Sequence, residues 1–310
     1  MVLTKGKNLK KVQVLLATFN GSRYLAPLMD SLIDQDYQNT EIIVRDDGSN
    51  DNTIEILRRY LVRENISIVE GENVGVPESF FRLLQLSSSD SDFFAFSDQD
   101  DVWKKDKISR AINILEKLPL ELPSMYCSRV LIVDEMLNLI EYSRTPKRGL
   151  SFENAIIENI ATGCTIVMNN AARDLLLKEF PKNAIMHDWW TYLVISAFGR
   201  VVYDMEPRIL YRQHSSNVVG SKIGFINRWK ARIYRFLRFS RVRLPTKQAM
   251  EFNRIYGPIL SQEKKLKLNR FIEGRDSFMG RIHYAFFGEA YRQSKIDNLI
   301  LKILIIFNRV

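Results

Sequence analysis

Cysteine and histidine are the scarcest chemically reactive residues of this chain, with two and three copies among 310 residues. Neither Cys127 nor Cys164 belongs to a C-x-x-C pair or to a zinc-finger spacing. This argues against a secreted disulfide scaffold and against a zinc-finger fold, and it is typical of a protein in a reducing compartment. We interpret both cysteines as packed or free thiols.

Long apolar runs are also missing. A membrane-spanning helix needs about 20 consecutive apolar residues, and the nearest candidate, residues 299–307, is short and contains Lys302. The N-terminal residues include lysines but no apolar core, so we expect no signal peptide and a mature protein that starts there. Because 46% of the residues are hydrophobic, the chain can bury a large core. A cytoplasmic globular protein is the expectation.

The usual phosphate-binding loops are absent as well. The first strand-like run is followed by T-F-N-G-S instead of G-x-G-x-x-G, and no Walker sequence G-x-x-x-x-G-K-S/T occurs. This argues against a dinucleotide dehydrogenase and against a P-loop enzyme. If a nucleotide diphosphate binds here, a metal ion must meet its charge in place of a glycine-rich helix start.

Short apolar strands alternate with helical patterns in the first part of the chain. The strand-like runs are residues 12–17, 41–45, 66–69 and 93–96. This alternation predicts an α/β fold, a Rossmann-like and mostly parallel sheet with helices on both faces. Such sheets bind ligands at the edge formed by the carboxyl ends of their strands. The polar residues expected at that edge are Thr18, Asn20, Asp46, Asp47, Asn73, Gly75, Asp98 and Asp100.

The pattern becomes irregular after about residue 123. Residues 125–133 and 160–168 are predicted as strands, and residues 171–180 and 187–198 as helices. Basic helices are expected from about residue 220 onward. We therefore predict a catalytic domain over residues 1–220 and a basic helical region over residues 221–310.

Three carboxylates follow the predicted buried strand at residues 93–96. Asp98 and Asp100 form a D-x-D pair, and such carboxylates suit Mg²⁺ or Mn²⁺ together with substrate phosphates. The alternative is that the acids begin the next helix, where negative charge is favoured, and we assign that role to Asp101 and Trp103. Asp46 and Asp47 are likewise either a turn and helix cap or acceptors for a nucleoside.

Several motifs in order resemble the inverting family 2 glycosyltransferases of GT-A fold. They are V-L-L-A-T-F-N-G (14–21), I-I-V-R-D-D-G-S-N-D-N-T (42–53), E-N-V-G (72–75) and F-S-D-Q-D-D-V-W (96–103). The later G-C-T (163–165), H-D-W-W (187–190) and Y-R-Q-H-S-S-N (211–217) resemble bacterial rhamnosyltransferases of cell-wall or surface polysaccharide. The resemblance spans about residues 11–220 and is less specific for the sugar than for the family.

The resemblance implies roles for the matching positions. Thr18, Asn20, Asp46 and Asp47 would line the pocket for the base and ribose of a nucleotide-sugar. Asp100 would be the direct metal ligand, and Asp98 would lie nearer the ribose or a metal-bound water.

Two residues after the predicted strand at 208–211 are further candidates. His214 could complete the metal site or hydrogen-bond the diphosphate, although a lone histidine is more often a surface or satisfied residue. Arg212 could neutralise charge on the leaving group.

Asp188 is the predicted catalytic base. Inverting transfer needs a carboxylate that removes the proton of the attacking acceptor hydroxyl. Trp189 and Trp190 beside it could stack on a sugar ring, and His187 could orient the carboxylate. On the residues alone we would favour the alternative, in which Asp188 caps a helix and both tryptophans pack in the core. With the resemblance we favour the base.

The net charge of +9 is concentrated late in the chain. Residues 222–243 hold eight Lys or Arg and no acid, and an apolar stripe runs through residues 226–237. This pattern suits either a helix on an anionic inner membrane surface, near lipid-linked acceptors, or a helix packed on the catalytic domain. Since no nucleic-acid motif is present, we predict no nucleic-acid partner.

The sequence thus predicts a metal-dependent glycosyltransferase that moves L-rhamnose from dTDP-rhamnose to a lipid-linked or growing glycan. It would lie on the inner face of the cell membrane. The alternatives are a UDP-hexose or UDP-N-acetylhexosamine donor on the same fold, and a nucleotidyltransferase-like protein that uses the acids without H-D-W-W.

Overall fold

The computed structural model describes residues 9–214 and 243–310. In chain order its strands are β1 (Val12–Thr18), β2 (Thr40–Asp46), β3 (Ile66–Glu70), β4 (Phe93–Ser97), β5 (Val102–Trp103), β6 (Ser124–Ser128), β7 (Leu131–Val133), β8 (Leu139–Tyr142), β9 (Val167–Asn169), β10 (Arg200–Asp204) and β11 (Ile209–Arg212). The helices of these residues are α1 (Leu25–Ile33), α2 (Thr53–Arg58), α3 (Val76–Leu86), α4 (Lys107–Leu115), α5 (Phe152–Ala155), α6 (Asn170–Leu176), α7 (His187–Phe198), α8 (Leu244–Tyr256), α9 (Gln262–Ile272), α10 (Phe278–Phe287) and α11 (Lys295–Ile306). Gly163–Thr165 forms a 3₁₀ turn.

Seven strands form one sheet in the order β10-β6-β9-β4-β1-β2-β3. The four strands β3, β2, β1 and β4 are parallel, β10 is parallel to β6, and β9 is antiparallel to both of its neighbours. All five residues of β4 are buried, and successive side chains of a strand point to opposite faces, so both faces are covered there. The predicted fold class, a mixed and mostly parallel sheet, is confirmed.

A second sheet of four strands has the order β5-β11-β7-β8. β11 pairs parallel with β7 and antiparallel with β5. The pairing joins Trp103 to Ile209 across more than a hundred residues of sequence. It therefore holds the segment after the D-x-D acids as a strand.

That pairing overturns one prediction. Asp101 and Trp103 do not begin a helix, because Val102 and Trp103 are held in β5 and α4 begins only at Lys107. Asp101 is completely buried, whereas a helix-capping acid usually faces solvent.

Two predicted strands are shorter than expected. Residues 125–133 form two strands in different sheets, β6 and β7, because the chain leaves the first sheet at Arg129. In residues 160–168 the 3₁₀ turn precedes β9, which starts at Val167. The helix predicted at 187–198 matches α7.

The chain divides into two compact units. The first holds Met1–Ser143, Thr162–Lys178 and Arg200–Arg212, with both sheets. The second holds Arg144–Ala161, Glu179–Gly199 and Gln213–Val310. Within the second unit, Trp190 of α7 packs against Phe252 and Tyr256 of α8, at ring-centroid distances of 6.1 and 6.2 Å.

The boundary predicted at residue 220 lies outside the described residues and stays a prediction. The same holds for the apolar stripe over residues 226–237. Among the described residues, no helix combines the length and apolar character that crossing a membrane requires.

Candidate active site

The loops after β1 and β2 are joined by a dense set of hydrogen bonds. Thr18 donates its hydroxyl to Asp46 (2.8 Å), and Ser49 donates its backbone N–H (2.8 Å) and hydroxyl (2.6 Å) to the same carboxylate. Asn20 takes a left-handed conformation, with φ of 48°, and accepts the backbone N–H of Asn50 at 2.8 Å. Thr18, Asn20 and Asp46, which are predicted to contact the nucleoside, therefore lie together at the ends of β1 and β2. We call the loops after these two strands the braced loops.

Asp47 braces the next loop. It accepts the backbone N–H groups of Val74 (3.0 Å) and Gly75 (2.9 Å). It also forms a buried ion pair with Arg45. The Arg45 guanidinium also donates hydrogen bonds to the Ser79 hydroxyl (2.9 Å) and to the Glu72 carbonyl (3.0 Å). Arg45 was not among the predicted site residues, although an arginine that directly follows three apolar residues of β2 was the available signal.

Gln99, between the two D-x-D acids, pairs with the backbone of the β1 loop. The backbone N–H of Phe19 donates to the side-chain oxygen of Gln99 at 2.8 Å, and the side-chain NH₂ of Gln99 donates to the backbone carbonyl of Phe19 at 2.9 Å. A Cβ at Gly21 would collide with the Gln99 carboxamide. Glycine at this position therefore permits the contact that connects the D-x-D segment to the β1 loop.

Asp98 and Asp100 are half-buried, in contrast to the buried acids around them. Asp46, Asp47 and Asp101 are each at most 4% exposed. Carboxylates that remain accessible on the ligand edge of a parallel sheet fit Mg²⁺ or Mn²⁺ with a substrate phosphate. The residues present thus fit the predicted metal, and Asp98 and Asp100 would hold it.

A buried cluster of ionisable side chains lies next to Asp98. Asp101, Lys107 and Cys164 are completely buried, and ligand atoms of Asp98, Asp101 and Cys164 lie within 4.8 Å of one another. The Lys107 ammonium acts on these same three groups and lies 2.9 Å from the Trp103 ring centroid. Since the Lys107 side chain already faces the three ligand atoms, we assign this cluster a structural role, and the metal at Asp98 and Asp100 stays a prediction.

Burial dominates the electrostatics of the cluster. It raises the pKa of Asp101 well above its usual range, an effect that Asp100 and Asp98 reinforce. It lowers the pKa of Lys107 well below its usual range, against the attraction of the neighbouring acidic groups. Each shift favours the neutral form of its group, as expected in a low-dielectric interior.

Arg212 holds the acidic segment in place. Its backbone N–H donates to Asp101 (3.1 Å), and its guanidinium donates to the carbonyls of Asp100 (2.9 Å) and Glu135 (2.6 Å). The side chain is buried, and its guanidinium carbon lies 4.7 Å from the centroid of the Tyr24 ring. These contacts support a positioning role, and the contact with a diphosphate stays a prediction. His214 is half-buried, and its metal role also stays a prediction.

Asp188 lies in the first turn of α7, in the second compact unit. The N-cap residue is Met186, so Asp188 is not the cap. It is half-buried and accepts the backbone N–H of Trp189 at 2.6 Å. Negative charge is favoured in a first helical turn, so this placement is compatible with either a structural or a catalytic carboxylate.

The residues flanking Asp188 are part of the core. Trp190 is completely buried, and the Trp189 indole donates to the Ala155 carbonyl at 2.7 Å. The prediction that Trp190 stacks on a sugar is therefore wrong, because the packing of α7 against α8 covers it. Burial lowers the pKa of His187 to about 3, so His187 is neutral at physiological pH.

Comparison with known proteins decides the family. The model named Glycosyl transferase family 2 matches residues 13–176, which include the braced loops and the D-x-D acids. The chain belongs to glycosyl transferase family 2. The resemblance predicted from the motifs is thus confirmed, and a nucleotide-sugar is the donor class of GT-A enzymes.

Two relatives of this glycosyltransferase carry names that specify a sugar donor or a polymer. It is 31% identical to the dTDP-rhamnosyl transferase RfbG of Shigella flexneri, over 69% of this chain and 77% of that protein. It is 26% identical to the putative teichuronic acid biosynthesis glycosyltransferase TuaG of Bacillus subtilis, over 71% and 83% of the two chains.

Solved structures confirm the GT-A fold. The Staphylococcus aureus TarS 1-349 complex with UDP-GlcNAc matches with a TM-score of 0.57 and 16% identity, over 94% of this chain and 90% of that one. The Pyrobaculum calidifontis mannosyltransferase complex with GDP-Man and Mn²⁺ matches with a TM-score of 0.53 and 18% identity, over 96% and 86%. At these identities the likeness concerns the fold alone.

Proposed function

We propose that this glycosyltransferase moves L-rhamnose from dTDP-rhamnose, with inversion, to a lipid-linked or growing surface polysaccharide. The observation that carries the donor is the 31% identity to a dTDP-rhamnosyl transferase over 77% of its length. The acceptor class is supported by the name of TuaG, a putative teichuronic acid biosynthesis glycosyltransferase. A lipid-linked acceptor would place the enzyme on the inner face of the membrane.

In this proposal the braced loops after β1 and β2 bind the nucleoside. Asn20 is exposed, and the buried Thr18 and Asp46 hold the loops beside it in place, so little conformational entropy is lost when the donor binds. Asp98 and Asp100 would hold Mg²⁺ or Mn²⁺, which offsets the charge of the departing nucleotide diphosphate. Arg212 keeps the acidic segment at the position these contacts require.

Asp188 would take the proton of the acceptor hydroxyl. The freed oxygen then bonds to the anomeric carbon as the bond from that carbon to the diphosphate oxygen breaks, which inverts the configuration. The electron pair leaves with the nucleotide diphosphate, and the proton stays on the Asp188 carboxylate until solvent accepts it.

A second donor is favoured by a specific observation. Poly(ribitol-phosphate) β-N-acetylglucosaminyltransferase TarS of S. aureus is 31% identical over 110 residues, 34% of this chain and 19% of that protein. Its structure with UDP-GlcNAc shares the fold. UDP-GlcNAc is therefore the second candidate donor, and the smaller shared segment makes it the weaker one.

Donor-dependent release of the nucleotide diphosphate tests the proposal. The purified full chain is offered dTDP-rhamnose, UDP-GlcNAc, UDP-glucose, UDP-galactose and GDP-mannose, each with Mn²⁺ or with EDTA. We expect dTDP-rhamnose to be hydrolysed fastest and EDTA to abolish the reaction. Preference for UDP-GlcNAc would establish the second candidate, and full activity in EDTA would refute the metal.

Variants in the same assay test the residue roles. Asp188→Asn should lose at least about 100-fold in release of the nucleotide diphosphate, while calorimetry shows donor binding within about twofold of wild type. Asp100→Ala should lose the Mn²⁺-dependent part of that binding. Glu263→Gln is the control for Asp188→Asn, because Glu263 is 77% exposed on α9 of the same unit. Wild-type turnover in Asp188→Asn would refute the assignment of Asp188 as the catalytic base.

A further inference from the structure

An apolar face is exposed on the last two helices of the second unit. On α10 it comprises Met279, Phe286 and Phe287, and on α11 and its C-cap it comprises Leu299, Ile303 and Phe307. These six side chains are 47–74% exposed. We call them the C-terminal apolar face.

The spacing of the six residues makes the face continuous. Met279, Phe286 and Phe287 recur at seven and eight residues, and Leu299, Ile303 and Phe307 recur every four, so each set follows one side of its helix. The two helices pack against each other, and the Lys302 ammonium lies 5.8 Å from the Phe286 ring centroid. Phe286 therefore lies beside the exposed side of α11.

The buried side of α11 is already occupied by other residues. Leu301 and Ile305 are each 2% exposed and lie opposite the stripe that contains Leu299 and Ile303. A helix that is apolar on both sides is typical of one with two apolar contacts. The core of the second unit supplies one of them, and the C-terminal apolar face is available for the other.

Basic residues surround this face. Residues 278–310 contain five Lys or Arg and two acids, Glu289 and Asp297, and Arg270 neutralises Glu289 at 2.8 Å. Lys302 lies over Phe286, and the Arg281 guanidinium lies 5.8 Å from the Phe278 ring centroid. Exposed aromatic and aliphatic side chains interleaved with cations are the pattern of a surface that enters the interface of an anionic bilayer.

We propose that the C-terminal apolar face inserts into the headgroup region of an anionic lipid bilayer. Charge complementarity selects this occupant over two others. A second copy would bring equal cations, Lys302 and Arg281, together at a desolvated interface, whereas a bilayer supplies phosphates for them. The second alternative is residues 215–242 of this chain, which hold seven Lys or Arg and no acid. Their positive charge would be repelled by the basic residues beside the face.

This inference deepens the proposed function, because it gives the surface by which the enzyme would reach a lipid-linked acceptor. It concerns the apolar and cationic residues 278–309, which are separate from the basic stretch at 222–243. The two proposals can fail independently, since lipid binding needs no donor and transfer to a soluble acceptor needs no lipid.

Sedimentation with sucrose-loaded vesicles tests the inference. The full chain is mixed, without donor, with vesicles of 70% phosphatidylcholine and 30% phosphatidylglycerol, or of phosphatidylcholine alone. We expect wild type to bind the anionic vesicles, and Phe287→Ser/Leu299→Ser to bind them at least about tenfold more weakly. Lys302→Gln, which removes the cation over Phe286, should lose part of the difference between the two vesicle types.

A matched control removes equally exposed apolar side chains elsewhere. Val62 and Met136 are 86% and 82% exposed in the first unit, and Val62→Ser/Met136→Ser should bind vesicles as wild type does. Equal binding by wild type and Phe287→Ser/Leu299→Ser would overturn the proposal. So would a wild-type dimer in light scattering without lipid that this variant converts to a monomer, since a second copy would then cover the face. Thermal unfolding of each variant confirms that it folds.

Discussion

Gln99 is the residue through which the D-x-D acids contact the β1 loop. Its carboxamide makes two hydrogen bonds to the Phe19 backbone, in the manner of one antiparallel strand pair. The D-x-D pattern does not specify its middle residue, but in this protein the middle side chain, Gln99, binds the Phe19 backbone. These two hydrogen bonds fix the segment that contains Asp98 and Asp100 against the β1 loop.

Gly21→Ala tests that contact. A methyl group at residue 21 would collide with the Gln99 carboxamide and break both hydrogen bonds, so we expect a loss of about 1–3 kcal/mol in unfolding free energy. Donor binding should weaken in parallel. Urea unfolding and calorimetry measure the two effects.

The double variant Gly21→Ala/Gln99→Ala is the control for this prediction. Removing the Gln99 side chain removes the collision, so the double variant should be no less stable than Gln99→Ala alone. Additive losses in the cycle would show that the glycine is required for another reason.

His187 predicts a dependence of stability on pH. Burial lowers its folded pKa to about 3, below the value of about 6.5 in an unfolded chain. The unfolded chain therefore binds one more proton between these values, and the contribution of His187, present above pH 6.5, is lost as pH falls. We expect a loss of up to about 1.4 kcal/mol per pH unit from this residue.

Urea midpoints of wild type and His187→Leu between pH 7.5 and 5 check this prediction. The variant should show a smaller decrease in stability over that range, whatever its stability at pH 7.5. Parallel curves for the two proteins would refute the assignment of the pH dependence to His187.

At the scale of elements, the turns after β1, β2 and β3 are held by side chains rather than by regular backbone pairing. Asp47 connects β2 to the residues before α3, and Gly75 precedes α3 with φ of 83°. The periodicity of the sequence predicted the first four strands correctly, and ligand binding at their carboxyl ends stays a prediction. It did not predict that Asp46 and Asp47 are buried, because their partners come from the neighbouring loops.

Asp47→Asn should destabilise the whole fold, not only donor binding. It removes the charge opposite buried Arg45 and weakens the acceptor for two backbone N–H groups. We expect a loss of about 3 kcal/mol in unfolding free energy, seen as a lower midpoint in urea. Glu70→Gln, in an exposed pair with Arg58, is the control and should cost below about 1 kcal/mol. Equal midpoints for the two variants would contradict the bracing role.

At the scale of the whole molecule, the second compact unit is assembled from distant parts of the sequence. Between α6 and α7, Lys182 and Ile185 donate backbone N–H groups to Glu251 and Gln248 of α8, each at 2.9 Å. Phe252 of α8 contacts Phe152 of α5 at 5.5 Å between ring centroids. Residues 144–161 and 179–199 therefore depend on the C-terminal helices for their core.

A chain that ends at residue 220 should consequently not fold as an independent unit. It would expose Trp190, Phe152 and their neighbours, and burial of each such side chain contributes about 1.5–3 kcal/mol. We expect aggregation or the loss of a cooperative thermal transition, measured by light scattering and calorimetry. A monomeric and cooperatively unfolding 1–220 chain would support the boundary predicted from the sequence.

The sequence by itself determined the alternation of strands and helices, the polar residues that follow the strands and the family, because these depend on local periodicity and on short motifs. Only the tertiary structure decided which acids are accessible. Asp98 and Asp100 remain half-buried, while Asp101 is buried by the pairing of β5 with β11 and by the Arg212 contact. The tertiary structure also assigned Trp190 to the core and left the C-terminal apolar face exposed. The physical reason is that burial depends on contacts between residues far apart in the chain, which local patterns do not contain.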